Sequence, residues 1–334
     1  MMDRASSLAM QAAHGMDFRI EPVQTLAFSA QQRAEGIAIS SSGNMMAIAT
    51  ADADTVVLHR RQSSGRFDAE PCGVLCGPTS RLNYPHDVSF ALAADGELLA
   101  VAQRRGSIAI FRNDGITGCF APEPAFEISG AGSRLNFSDG VAFVPPLNDH
   151  LAACNLASAT ISFYRKRSDS PLVFDQYPCF EVWQGLAEPD GLAFSPSGEW
   201  LAVANHGNHS VSIFERRNRV ALHDKFRFGP APSAVIADAG FRYPHSLAFS
   251  ASNHLVVTNA GANCFSVLAP TKLDGRTQWS LLPGGQWVVG SESGFRAINA
   301  ANKMEGGPKG IAIHRDTLAV CSPQHGVLIY SLLV

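Results

Sequence analysis

The sequence predicts an all-β chain, a six-bladed β-propeller of four-stranded antiparallel blades, closed by an N-terminal strand that completes the last blade. Three observations predict it. One phrase recurs six times: EGIAIS at Glu35–Ser40, DVSFAL at Asp87–Leu92, DGVAFV at Asp139–Val144, DGLAFS at Asp190–Ser195, SLAFSA at Ser246–Ala251 and KGIAIH at Lys309–His314. From the starting positions 35, 87, 139, 190, 246 and 309, successive copies begin 52, 52, 51, 56 and 63 residues apart. A period of this size marks a propeller or another repeat array. The two ends of the chain also supply complementary parts of one unit.

The elements follow in order within each copy. After DGLAFS comes a turn, Pro196-Ser197-Gly198, then an apolar run, Trp200–Ala204. A polar stretch, Asn205–His209, leads to the alternating run Val211-Ser212-Ile213-Phe214 and a charged end. The runs beginning at Met45, Leu98 and Leu151 have the same form. Short β-branched and aromatic runs cut by Gly, Asn, Asp and Ser read as strand, turn, strand, loop, strand. A fourth strand is expected at Pro71–Leu75, Pro124–Ile128 and Pro178–Val182. No segment holds a 3.6-residue period with caps, so long helices are not expected. The last copy stops after its third strand, Gly326–Ser331, and Phe18–Leu26 resembles the fourth-strand region Phe120–Ile128. The N-terminal strand is therefore expected to close the ring. Residues 1–17 are expected to be a flexible tail and residues 18–334 one propeller domain.

Composition agrees with a heavily buried sheet. Charged residues make up 16% of the chain, against about 25% in typical domains. The net charge is −3 with no basic block, which disfavours nucleic-acid binding. No apolar run suits a signal peptide or a membrane span. The seven cysteines are scattered, and the spacing of Cys72 and Cys76 fits no standard zinc motif. The expected setting is cytoplasmic, with reduced cysteines.

With the repeats aligned, PDGLAFSPSGEWLAVANHGNHSVSIFERR, Pro189 to Arg217, resembles the repeat of the lactonase-type, or YVTN-repeat, propellers. The resemblance runs from Phe18 to Val334. It implies the fold and a superfamily that includes sugar-lactone hydrolases, lyases and non-catalytic binding proteins. The chain is also similar in blade number to the six-bladed gluconolactonase (senescence-marker) family. That resemblance implies a divalent metal, with Glu35 at the Glu position and Asp139 or Ser138, and Asp190, at the Asn positions. Ser246 stands where the family has an Asp.

In a propeller, the loop into the innermost strand and the loop between the second and third strands open on one face. An inner ring of Glu35, Asp87, Asp139, Asp190, Ser246 and Lys309 is expected there. The hairpins add Gln103, Asn155, Asn205, Asn259, Thr50 and Ser322. His86 and His245 precede the ring in the near-duplicate phrases Tyr84-Pro85-His86-Asp87 and Tyr243-Pro244-His245-Ser246. Carboxylates crowded into one channel need a cation, basic partners or water. Oxygen donors suit Ca²⁺ or Mg²⁺, held by Glu35, Asp139 and Asp190. His86, His245 and Asp87 are the candidate acid–base groups. Asn155, Asn205, Asn259, Tyr84, Tyr243, Arg296 and Lys309 are candidates for binding a small-molecule ligand. The alternative for the acids is a turn role, paired with Arg33, Arg81, Arg134, Arg242, Arg296 or Lys309. His206 and His209 are solvated loop residues or a weak metal signal. The irregular stretch Gly290–Gly307 is expected to overhang the ring, with Phe295, Arg296 and Met304 as a cover. The expected function is a lactonase- or lyase-type enzyme of the funnel; the competing expectation is a non-catalytic scaffold for a protein or peptide.

Overall fold

The computed structural model describes residues 18–28, 32–93, 96–168, 170, 172–216, 228–237, 240–301 and 305–333. The N-terminal tail expectation and Met304 lie outside these residues. Six four-stranded antiparallel sheets make up the fold. The fourth is typical: Pro189–Phe194, Trp200–Asn205, Ser210–Glu215 and Ala234–Ile236 pair in sequence order. In the last sheet, Arg19–Leu26 pairs antiparallel with Gly326–Leu333, outside Thr317–Ser322 and Ile311–His314.

The second strands explain the low charge. Every residue of Met45–Thr50, His150–Asn155, Trp200–Asn205 and Thr317–Ser322 is buried. These strands face a neighbouring blade on both sides, so they read as continuous apolar runs. Six apolar clusters fill the gaps between blades, each drawing on two adjacent sheets. One joins the first sheet to the last, with Ile37, Met46 and Ile48 against Ala319, Cys321 and Val327. Hydrophobic burial therefore runs around the whole circle.

The first hairpin is sealed by a recurring serine. The Ser40, Ser195 and Ser250 hydroxyls accept the N–H groups of Met45, Trp200 and His254 at 3.1, 3.0 and 3.0 Å. The expectation of no long helix needs one amendment. Glu292–Ala301 is a ten-residue helix, inside the stretch read as irregular. Its apolar side, with Phe295 and Ile298 three residues apart, spans under three turns, too short a run to stand out as a sustained helical period. Among the described residues no helix is long and apolar enough to cross a membrane.

Candidate functional site

Five of the six inner strands begin with a backbone irregularity. The register slips between Ala34 and Gly36, Pro85 and Asp87, Ser138 and Val141, Pro189 and Leu192, and Pro244 and Leu247. Bulges of this kind re-aim a side chain. The residues left unpaired are Glu35 and His86 in the first two blades and Asp139-Gly140, Asp190-Gly191 and His245-Ser246 in the next three; the first of each carries the functional side chain, and Lys309 holds the matching place in the last blade. The ring is therefore Glu35–His86–Asp139–Asp190–His245–Lys309, one residue per blade. All six are buried, none more than 4% exposed.

This corrects the register of the expected ring by one residue in two blades. Asp87 and Ser246 do not belong to the circle; they stand where the other four blades have glycine. The glycines are needed because the next blade's ring residue passes close by. A Cβ on Gly36, Gly140, Gly191 or Gly310 would lie 2.5, 2.6, 2.4 or 2.5 Å from the carbonyl oxygen of His86, Asp190, His245 or Glu35. Asp87 is tucked between strands instead, and its Oδ2 accepts the Val141 N–H at 3.0 Å. Burial pushes its carboxyl up to about 7, despite that bond.

A second circle lies two residues upstream. Arg33, Tyr84, Phe137, Glu188 and Tyr243 all have left-handed backbone, with φ of 46, 57, 52, 48 and 48°. Such a conformation costs a side-chain-bearing residue roughly 1 kcal/mol or more. Its repetition in five blades puts large polar and aromatic side chains at the mouth of the channel. Tyr84 accepts a hydrogen bond from Arg33 Nη1 at 2.7 Å, and its ring centroid lies 5.7 and 5.6 Å from the guanidinium carbons of Arg33 and Arg104. With Arg104, Arg105, Leu135, Asn136 and Phe137 it lines a pocket of 460 Å³. Tyr243 packs against His206, ring centroids 4.8 Å apart.

Cations meet the acids from the side. Arg33 Nε donates to Glu35 Oε1. Arg104 donates twice to Asp139, Nε to Oδ1 at 2.7 Å and Nη2 to Oδ2 at 2.9 Å. Lys309 Nζ donates to Glu305 and lies 4.0 Å from Glu35 Oε2. His206 bridges the rim, with Nδ1 3.5 Å from Asp190 Oδ2 and Nε2 3.3 Å from Glu305 Oε1. The other arginines point elsewhere. Arg81 meets Glu123, Arg134 meets Glu181, Arg242 donates to its neighbour's carbonyl, and the exposed Arg296 pairs with Glu292 on its own helix. Arg104, Glu305 and the bridging role of His206 are not singled out by the sequence reading.

The histidines occupy the centre. The His86 and His245 rings stack with centroids 5.2 Å apart. His86 Nδ1 lies 3.1 Å from the Asp139 carbonyl oxygen, so Nδ1 carries the proton and Nε2 is the lone-pair nitrogen. His245 Nε2 is 3.1 Å from Glu35 Oε2 and 3.7 Å from Asp190 Oδ2. Burial lowers both imidazoles to about 4, which leaves them neutral near pH 7. Burial would raise Glu35, but Lys309, His245 and His86 outweigh it and hold the carboxyl well below its usual range. Asp190 moves the other way: burial and the Asp139 charge drive it well up. His86 Nε2 and His245 Nδ1 are buried without a hydrogen-bond partner, and Glu35 Oε2 has only His245 Nε2 within reach.

The asparagines serve the blades. Oδ1 of Asn155, Asn205 and Asn259 accepts the N–H of Asn136, Ala187 and Arg242, at 3.2, 3.1 and 3.2 Å. Their amide nitrogens donate to Ser162, Ser212 and Ser266. The expected all-oxygen metal set is divided. Donor atoms come within 4.8 Å of one another in two groups, Glu35–His86–His245 and His86–Asp139–Asp190. Each contains an imidazole, whereas Ca²⁺ takes six to eight oxygens and Mg²⁺ an octahedral oxygen shell. The donor set does not fit either hard cation.

The fold is shared with solved structures at low identity. A candidate 6-phosphogluconolactonase from Bacteroides uniformis superposes with TM-score 0.60 at 14% identity, covering 92% of this chain and 83% of that one. The β-propeller domain of Cps50 (Swd1) from Myceliophteria thermophila gives 0.59 at 12%, covering 95% and 100%. A luciferin-regenerating enzyme gives 0.58 at 13%, covering 95% and 96%. No family model and no curated protein matches the sequence.

Proposed function

We propose that this protein is a small-molecule enzyme of the lactonase or lyase type, working at the funnel above the ring. One observation carries the proposal. Two imidazole nitrogens from two blades, His86 Nε2 and His245 Nδ1, are buried at the channel centre without a partner, beside a Glu35 Oε2 that has only the His245 ring within hydrogen-bond distance. A propeller that merely plugs its channel gains by satisfying such atoms, since each costs about 1–3 kcal/mol. Retaining them is reasonable where a bound molecule supplies the missing bonds.

The surroundings fit that role. The 460 Å³ pocket gives a ligand an aromatic and cationic wall, with strained backbone at Tyr84 and Phe137. Arg104 reaches from this wall to Asp139. A histidine next to an ionised carboxylate is the usual arrangement for taking a proton from water or from a substrate carbon. Lys309 and Arg104 bring positive charge to the funnel, which would favour negative charge growing on a carbonyl oxygen. The lactonase and luciferin-regenerating structures support the reading through shared fold only.

A panel of aldonolactones and aryl esters tests it. Turnover is expected that H245N and E35Q both abolish while near-ultraviolet circular dichroism stays unchanged. Wild-type protein that neither turns over nor saturably binds any member would sink the enzymatic reading. One observation then favours a peptide-binding scaffold: Tyr177 and Trp183 are 70% and 59% exposed and line a second groove with Pro178 and Pro230. Exposed aromatics of this kind mark recognition surfaces.

A further inference from the structure

We infer that Glu35, His86 and His245 form a two-histidine, one-carboxylate site for a borderline divalent metal ion of the zinc type. The inference concerns the same funnel but does not rest on turnover; a metal-binding protein without catalysis satisfies it equally.

Geometry comes first. Glu35 Oε2 lies 3.1 Å from His245 Nε2 and 3.9 Å from His86 Nε2. All three residues offer donor atoms within 4.8 Å of one another. Donors bound tetrahedrally at about 2.0–2.1 Å from zinc stand roughly 3.4 Å apart. Shifts of a few tenths of an ångström to about an ångström would close the set around an ion. The three come from the first, second and fifth blades, so they are fixed by the whole ring and not by one mobile loop.

The surrounding bonds prepare the same three atoms. His86 gives its Nδ1 proton to the Asp139 carbonyl, which turns the Nε2 lone pair towards Glu35. A main-chain carbonyl on the remote nitrogen is a common support for a metal-bound imidazole. Arg33 occupies Glu35 Oε1 and leaves Oε2 as the free donor. Both Glu35 Oε2 and His86 Nε2 are buried, the nitrogen without a partner and the oxygen with only the His245 ring within hydrogen-bond distance. His245 presents Nε2 to the same oxygen at 3.1 Å, and its Nδ1 is buried without a partner.

The rival group, His86–Asp139–Asp190, is less available. It would need the His86 nitrogen that already serves the Asp139 carbonyl, and both Asp139 oxygens are held by Arg104. Charge also permits an ion. The ionised acids Glu35, Asp139 and Glu305 are matched by three cations, Arg33, Arg104 and Lys309, and Asp190 adds a fourth carboxyl beside His245, so no excess of positive charge faces the site. Lys309 is the main opponent, 4.0 Å from the donor oxygen, although Glu305 draws it aside. Two imidazoles and one carboxylate suit zinc and its neighbours in the first transition row over Ca²⁺ or Mg²⁺.

The test uses the full-length protein stripped with a chelator and titrated with Co²⁺, then with Zn²⁺ in competition. The expected result is one ion per chain, the intense visible bands of low-coordinate Co²⁺, displacement by Zn²⁺, and indifference to a large excess of Mg²⁺ or Ca²⁺. E35Q, H86N and H245N should each weaken Zn²⁺ binding at least 100-fold. D190N should change it less than 10-fold. K309M, which removes the nearest cation, should tighten it several-fold, and this variant keeps the test decisive should a ligand variant misfold. Sub-stoichiometric or featureless Co²⁺ binding by the folded wild type overturns the inference. So does equal competition by Mg²⁺, or a D190N variant that loses the ion while H245N keeps it.

Discussion

Asp139 is held in the ring by one partner, and its dependence on that partner can be measured. Its side chain is fully buried, and Arg104 meets its two oxygens at 2.7 and 2.9 Å. Arg104 itself is 25% exposed. The two ends of this pair should therefore respond unequally. R104M leaves a buried carboxylate with no cation, and removing one member of a buried pair costs about 3–5 kcal/mol. D139N leaves a guanidinium that can turn to water, at about 1–2 kcal/mol. We expect R104M to cost about 3 kcal/mol, the low end because the pair is partly solvated. With an unfolding entropy near 2.1 cal/mol/K per residue, that lowers Tm by about 4 °C. The double variant should cost about 2 kcal/mol less than the sum of the single ones. Urea and thermal melts of the four proteins give the cycle. Additive losses, or a larger loss in D139N than in R104M, would refute the view that Arg104 is what keeps this acid in the channel.

Two further predictions concern packing and pH. G191A places a Cβ 2.4 Å from the His245 carbonyl oxygen and 2.9 Å from Ser246 Cα; both are backbone, so the blades must part, and a loss of about 3 kcal/mol is expected in melts. G65A is the control, since nothing lies within 4 Å of its Cβ and only its φ of 85° opposes a side chain, at about 1 kcal/mol. His150 is a pH-dependent stabiliser. Burial opposes its charge, but Asp149 at 2.9 Å and Cys179 prevail and raise it to about 9. A raised imidazole stabilises the fold fully below its unfolded value, near 6.5, and the contribution disappears as pH rises through about 9. Asp149 is 37% exposed, so the effect is discounted to about 1 kcal/mol. D149N should lower Tm at pH 6 and leave it nearly unchanged at pH 10; equal losses at both would contradict the assignment.

The six sheets are legible in the sequence because each blade repeats its own solution to the same packing problem. The second strand is buried on two sides and reads as an apolar run; the serine and asparagine turns recur because they close the same hairpins. The ring is legible only in part, for a physical reason. Aligning the copies on their acids puts Asp87 and Ser246 in the circle. Aligning them instead on the prolines, Pro85, Pro189 and Pro244, or on Phe90, Phe143, Phe194 and Phe249, puts His86 and His245 there. The phenylalanines sit in the pleated part of the strand, whose period is fixed, whereas the acids sit at a bulge, where one residue can be gained or lost. Arg104 and His206 carry no such signal: Arg104 extends from a second hairpin to Asp139 of the next blade, and His206 lies between Asp190 of its own blade and Glu305 ahead of the last one.

That registry also explains how one repeat yields a chemically uneven centre. The backbone delivers six equivalent positions, and the chain fills them with Glu, His, Asp, Asp, His and Lys. No rule of propeller packing asks for that order, because each position needs only a small following residue and a neighbour's carbonyl. The asymmetry lies wholly in the side chains, and so do its consequences. Glu35 is kept ionised by Lys309 and two imidazoles, while Asp190, which approaches the same His245 nitrogen at 3.7 Å, is driven towards its neutral form. Environments that push two carboxyls apart around one histidine are how a single site can hold both a base and an acid at neutral pH. A purely structural ring would gain stability from uniform, satisfied residues; this one holds its polar atoms open at the point where the blades' symmetry is broken.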